Sequence, residues 1–150
     1  MYLVALMDRH AFRIACLVAA LFVVAGSLYS LRLGDTLRFS DERDYWAIAT
    51  CITEKGMYSL DGSQPTAYRP PGFPLWLALI RWLGGGIRTA RVANFALLAA
   101  TVLLLFALLR HVDSERAGAV AALLVCFYPV LFYTAGTLYP QTLTGFLLVA

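Results

Sequence analysis

The sequence predicts an all-α fold: polytopic transmembrane helices with an external loop that carries short juxtamembrane helices. Three observations lead there. Of the 150 residues, 61% are hydrophobic and only 14% charged, against about 45–50% and about 25% in soluble domains. Runs free of Asp, Glu, Lys, Arg and His cover 14–31, 92–109 and 117–150. Between the first two runs lies a stretch rich in Pro, Gly and charge. Such a composition excludes disorder. The net charge of +3, spread over scattered arginines and one lysine, gives no basic face for nucleic acid. Three cysteines, two of them (Cys16 and Cys126) inside apolar runs, do not form a disulfide framework. Only Cys51 sits in a polar neighbourhood.

About 20 apolar residues cross a hydrocarbon core about 30 Å thick. The first two runs therefore give spans at about 14–33 and 88–109. The third run is too long for one helix and is broken by Gly136-Thr137-Leu138-Tyr139-Pro140. It yields a span at about 117–134, kinked at Pro129, and a fourth that begins near Gln141 and occupies 141–150. Ten residues reach only about 15 Å, half of the core. The chain is expected to be the N-terminal part of a longer polytopic protein. Arg9, Arg13, Arg110 and Arg116 crowd the short flanks, and the positive-inside rule assigns those to the cytoplasm. The N-terminus is then cytoplasmic and the loop at about 34–87 external. The competing reading of the first run is a cleaved signal peptide cut at Ala25-Gly26-Ser27, but the run exceeds an h-region of about 7–15 residues.

Within the loop, Ser40 is the expected N-cap of a short helix whose first turn holds Asp41, Glu42 and Asp44, where the helix dipole favours acids. Tyr45, Ile48, Ala49 and Ile52 recur at helical spacing, and Lys55 with Gly56 closes the helix. The apolar stripe suits a membrane surface. On local sequence alone, Asp41 and Glu42 read as helix-start acids. Next comes Tyr68-Arg69-Pro70-Pro71-Gly72-Phe73-Pro74, held extended because each proline pushes its predecessor out of the helical region. Pro74 suits the first turn of a helix running to about Leu83, ended by Gly84-Gly85-Gly86. At about ten residues it cannot span and should be interfacial or re-entrant, with Trp76 and Trp82 at headgroup level. Arg69 is the loop's best phosphate-binding candidate through its forked donors; contact with lipid headgroups is the plainer alternative.

Taken in order, a first span, Asp41-Glu42-Arg43-Asp44-Tyr45, Tyr68-Arg69-Pro70-Pro71-Gly72-Phe73-Pro74, a short helix ending in glycine, and Arg91-Val92-Ala93-Asn94 opening the next span resemble the N-terminal part of the GT-C glycosyltransferases. The branch is that of the protein O-mannosyltransferases and the aminoarabinose transferases of lipid A, glycosyltransferase family 39-like. The resemblance runs from about residue 18 to 150. It implies an inverting hexosyl- or pentosyltransferase acting on the periplasmic face of a bacterial inner membrane, or on the lumenal face in a eukaryote, with the bacterial inner membrane the favoured setting and the fragment inactive alone. The implied partners are a polyprenyl-phosphate sugar donor, a lipid, glycan or protein acceptor and membrane lipids, with no nucleic acid. Asp41 would be the general base that takes the acceptor proton, and Arg69 would bind the donor phosphate and stabilise its departing charge. Glu42 and Tyr45 are candidate supporting residues.

Two positions depart from the family pattern. Many relatives carry an acid near the start of the fourth span, where this chain has Gln141. Some carry one just before the basic residue, where it has Tyr68. Both are candidate site-lining residues, and the loss of negative charge weakens a metal site. The resemblance identifies no certain cofactor and leaves a divalent metal open. His10 and His111 are isolated from the loop acids, and the triple glycine lacks the Lys-Ser/Thr of a phosphate loop. The alternative function is a transporter or lipid-binding membrane protein with a non-catalytic loop. Acids inside the spans would favour transport, and the charge-free runs contain none.

Overall fold

The computed structural model describes residues 2–112 and 114–150, with side chains from His10 onward except that of Asp113. The side chain of Arg9, used above for orientation, lies outside the described residues. Among the described residues seven helices follow one another: α1 (Tyr2–Leu33), α2 (Ser40–Lys55), α3 (Gly72–Trp82), α4 (Ile87–Val112), α5 (Glu115–Cys126), α6 (Pro129–Gly136) and α7 (Gln141–Val149). No strand occurs among the described residues. Among the described residues two helical segments, His10–Leu33 and Ile87–Val112, are long and apolar enough to cross a membrane, and α5 with α6 makes a third if the bent pair is one span.

The expected spans at 14–33 and 88–109 fall inside α1 and α4, each of which extends further. The span expected at 117–134 is instead two helices meeting at 61°. Phe127 and Tyr128 leave the helix, and Pro129 restarts it at the first position of α6. A proline there forfeits no hydrogen bond, since the first N–H groups of a helix have no internal partner. The kink expected at Pro129 is thus a break.

Helices α1, α4 and α5 share one core. Ala11, Ala15, Val18, Ala19 and Phe22 of α1 meet Phe95, Leu98, Ala99, Val102 and Phe106 of α4, with Ala119 and Ala122 of α5 filling in. Small residues on α1 let the backbones approach, the usual device where lipid removes the hydrophobic drive between helices. Gly26 marks the tightest approach, because a Cβ there would lie 2.1 Å from Phe95 Cγ. The outer side of α1 exposes Leu17, Leu21, Val24, Leu28 and Leu31, the inverse of a soluble helix.

A second core joins α2 to α3 and to the start of α4. Tyr45 and Ala49 pack with Phe73, Leu77, Ala78, Ile80, Ala90 and Leu138. The apolar stripe of α2, expected to face a membrane surface, is therefore covered by protein. It is α3 that leaves an apolar side open: Leu75, Leu79, Trp82 and the following Leu83 are all exposed. Helix α3 starts at Gly72 with Pro71 as its N-cap, which puts Pro74 in its first turn as expected. Gly56 closes α2 as expected, in the left-handed region at φ +65°, its N–H donating to the Ile52 carbonyl at 3.1 Å.

Candidate functional site

The start of α2 is built differently from the local expectation. Phe39, not Ser40, is the N-cap residue, and its side chain offers no acceptor. The carboxylate of Glu42 caps the helix instead: Oε2 accepts the backbone N–H groups of Arg38 at 2.8 Å and Phe39 at 3.1 Å. This is the carboxylate half of a capping box. Oε1 accepts the N–H of Leu138 at 3.0 Å, from the turn between α6 and α7. Glu42 is fully buried, as is Arg91 of α4, whose Nη2 lies 3.6 Å from Oε1. The guanidinium in turn donates to the carbonyls of Gly34 at 2.5 Å and Thr36 at 2.7 Å. One turn along α4, Asn94 donates to the Thr137 carbonyl at 3.4 Å and accepts from Trp76 Nε1 at 3.3 Å.

With Glu42 turned inward, Asp41 and Asp44 fall on another side of the first turn. Residues three apart on a helix are surface neighbours, and here they share one cation. Arg69 Nη2 donates to Asp41 Oδ1 at 2.5 Å and to Asp44 Oδ2 at 2.7 Å. Its guanidinium lies over the rings of Tyr45, at 5.1 Å, and Tyr68, at 4.6 Å, so the charge is flanked by π faces as well. The loop that delivers Arg69 is pinned by its own backbone. Tyr58 Oη donates to the Arg69 carbonyl at 2.8 Å, and the Thr66 N–H donates to the Tyr58 carbonyl at 3.0 Å. Pro70 and Pro71 then restrict the exit.

The electrostatics follow from these contacts. Hydrogen bonds to Asp44, and then those and the charge of Asp41, hold Arg69 protonated well above its ordinary value against the opposing effect of burial. Two carboxylates around one guanidinium leave the group one negative charge in excess. The Nε of Arg69 is buried and has no protein partner, so one donor of the fork is unspent. An open groove of about 530 Å³ lies beside it, lined by Tyr58, Thr66, Ala67, Tyr68, Arg69, Pro70 and Pro71.

The expected site residues thus separate. Asp41, Tyr45, Tyr68 and Arg69 come together. Glu42 is adjacent in sequence but points away into the buried cluster. Gln141 lines a different groove of about 240 Å³ with Phe39, Tyr133, Thr134 and Tyr139. Burial, and then the nearby charges of Asp41 and Glu42, raise the Tyr139 phenol above its ordinary value, so this second groove lies within electrostatic reach of the α2 start. Among the described residues no group of three or more His, Cys, Asp or Glu could hold a metal ion. The two carboxylates present are already committed to Arg69, and the residues do not fit a divalent cation at this point. Asp44 and Arg91 are participants the sequence reading missed. The signals were available: Asp44 stands one turn from Asp41, and Arg91 is a charge abutting a long apolar run.

Comparison of the chain with models of known protein families, with curated proteins and with solved structures found no match.

Proposed function

We propose that this chain is part of a membrane glycosyltransferase of the GT-C type, using a polyprenyl-phosphate sugar as donor. The observation that carries the reading is the meeting of Asp41 and Arg69 at 2.5 Å across 28 residues of sequence. These are the two positions that the resemblance singles out for proton and phosphate. In this proposal the donor phosphate binds the unspent edge of the Arg69 guanidinium, whose planar fork suits a phosphate. Asp44 keeps Arg69 in place, and Asp41 releases it to accept a hydrogen bond from the acceptor hydroxyl. The acceptor oxygen attacks the anomeric carbon from the face opposite the phosphate, and its proton passes to Asp41. The bond from anomeric carbon to phosphate oxygen breaks, its electron pair leaving with polyprenyl phosphate beside Arg69. The sugar is transferred with inversion. The Tyr58–Tyr68 groove receives the donor headgroup. The proposal sets the loop on the periplasmic side of a bacterial inner membrane, with the N-terminus cytoplasmic.

The test is Asp41→Asn in the intact protein, assayed with a panel of polyprenyl-phosphate sugars. Asparagine keeps size and hydrogen bonding but accepts no proton, and loss of a general base lowers turnover by about 10²–10⁴-fold. Arg69→Ala should impair donor use, and Arg69→Lys should retain part of it. Turnover of Asp41→Asn close to the parent value would overturn the proposal.

A further inference from the structure

We propose that Glu42 and Arg91 are a positioning pair that sets the rotation of α2 and so aims Asp41 and Asp44 at Arg69. The inference rests on the proposed role of that site and assigns to it two residues that do not touch Arg69 in the contacts above.

Both side chains are essentially inaccessible, 0% and 1% exposed, and each charge is spent mainly on backbone. The carboxylate receives three N–H groups, from Arg38, Phe39 and Leu138. The guanidinium supplies two carbonyls, at Gly34 and Thr36, and faces the carboxylate at 3.6 Å, an ion-pair distance longer than a short hydrogen bond. Two charges therefore tie the linker after α1, the first turn of α2, the body of α4 and the turn before α7. A hydrophobic pair of the same volume could fill the space but could not define direction. Direction is what the neighbouring residues need. Successive residues on a helix point about 100° apart, so with Glu42 held inward the Asp41–Asp44 edge has one orientation only. A rotation of α2 by a fraction of a residue would move both carboxylates off the single Nη2 atom they share. The pair also abuts the second groove, since Leu138 immediately precedes Tyr139, whose ring sits 6.1 Å from that of Phe39.

A buried ion pair can equally be a matter of stability alone, so the test must separate the two. The intact protein, labelled with ¹⁵N-arginine in dodecyl maltoside, provides the Nε–H resonance of Arg69, assigned by its loss in Arg69→Lys. Binding of farnesyl phosphate in the same micelles provides a second readout. Gly118→Ala, in the α4–α5 contact where a Cβ would meet the Phe106 ring at 2.7 Å, lies far along α4 from Arg91 and serves as a variant destabilised for an unrelated reason, compared at temperatures equally far below each unfolding midpoint. The expected result is that Glu42→Gln shifts or broadens the Arg69 resonance and weakens farnesyl phosphate binding by about tenfold, the loss of one charge-assisted hydrogen bond, while Gly118→Ala changes neither. If Glu42→Gln fails to fold, Arg91→Lys carries the same test, because it keeps the charge and shortens the reach to Gly34 and Thr36. An Arg69 resonance that behaves alike in the pair variant and in Gly118→Ala overturns the inference. If the resonance moves as expected but Arg69→Ala binds farnesyl phosphate as well as the parent does, the pair stands and the phosphate role of Arg69 fails.

Discussion

Replacing Arg69 with leucine tests whether the ion cluster holds α2 to its loop. Leucine keeps apolar contact with Tyr45 and Tyr68 and removes the charge that two carboxylates share. Hydrogen bonds to charged groups contribute about 1.5–3 kcal/mol each, but water recovers part of this, because the Asp41 and Asp44 side chains are 37% and 27% exposed. A total of about 2 kcal/mol follows for the pair after that discount. The natural reporter is Cys51, which lies in α2 and is 7% exposed, so a thiol reagent reaches it chiefly through local opening. In a background lacking Cys16 and Cys126, a loss of about 2 kcal/mol raises the Cys51 labelling rate by about 30-fold. Arg81→Leu is the internal comparison. Arg81 bonds Glu54 at 2.8 Å, but Glu54 is 60% exposed, and such a pair contributes about 0.5 kcal/mol, or about twofold in rate. A labelling rate for Arg69→Leu within twofold of the parent, or below that of Arg81→Leu, would refute the reasoning.

Gly26→Ala should destabilise the α1–α4 packing by about 1–3 kcal/mol, because the Phe95 ring it would strike is fully buried and stands 4.8 Å from that of Phe132; thermal unfolding in detergent measures this, and Phe95→Leu should recover part of the loss. The Asp61 carboxylate accepts the Ser63 N–H at 2.9 Å and the Ser63 hydroxyl at 2.7 Å, which holds its pKa at about 2, below the ordinary 3.8. A depressed carboxyl pKa stabilises the turn above its ordinary value and that contribution is lost as pH falls through the folded value, so the Ser63 amide resonance should titrate with a midpoint near 2; a midpoint near 3.8 counts against the turn. Orientation is tested at an exposed loop position, with Ser63→Cys in a cysteine-free background: an impermeant reagent should label it on intact spheroplasts, and labelling only in inside-out vesicles would reverse the assignment.

Much of the helical framework was legible because its signals are local. Charge-free runs mark α1 and α4, Gly56 marks the end of α2, and Pro140 followed by Gln141 marks the start of α7. A boundary slipped where a proline could serve two roles. Pro129, expected to kink a continuous helix, is the first residue of a new one, whereas Pro74 sits in the first turn of α3 as expected. The site was legible only in part. Asp41 and Arg69 were picked out by their motifs, yet the bond between them spans 28 residues, and no local pattern announces it. Nor does a helix-start acid reveal which way it turns. Asp41 and Glu42 look equivalent in sequence, and only the arrival of Leu138 and Arg91 makes one a buried cap and leaves the other partly in solvent. The exposed stripe expected on α2 belongs to α3, because apolar periodicity shows that a face will be covered and not by what.

The bond from Leu138 to Glu42 also sets a clock. Its partners are 96 residues apart, and ribosomes add about 5–20 residues per second. For about 5–20 s of synthesis the Glu42 carboxylate exists without the backbone amide that completes its cap. Arg91 emerges roughly midway through that interval, so the two charges can find each other before the last ligand arrives. The cap of α2, begun by the neighbouring amides of Arg38 and Phe39, is therefore completed late, after the first two long apolar segments have been made. A nascent chain arrested before residue 138 should carry α1, α2 and α4 with the cluster still open, and its ripening would be timed by elongation.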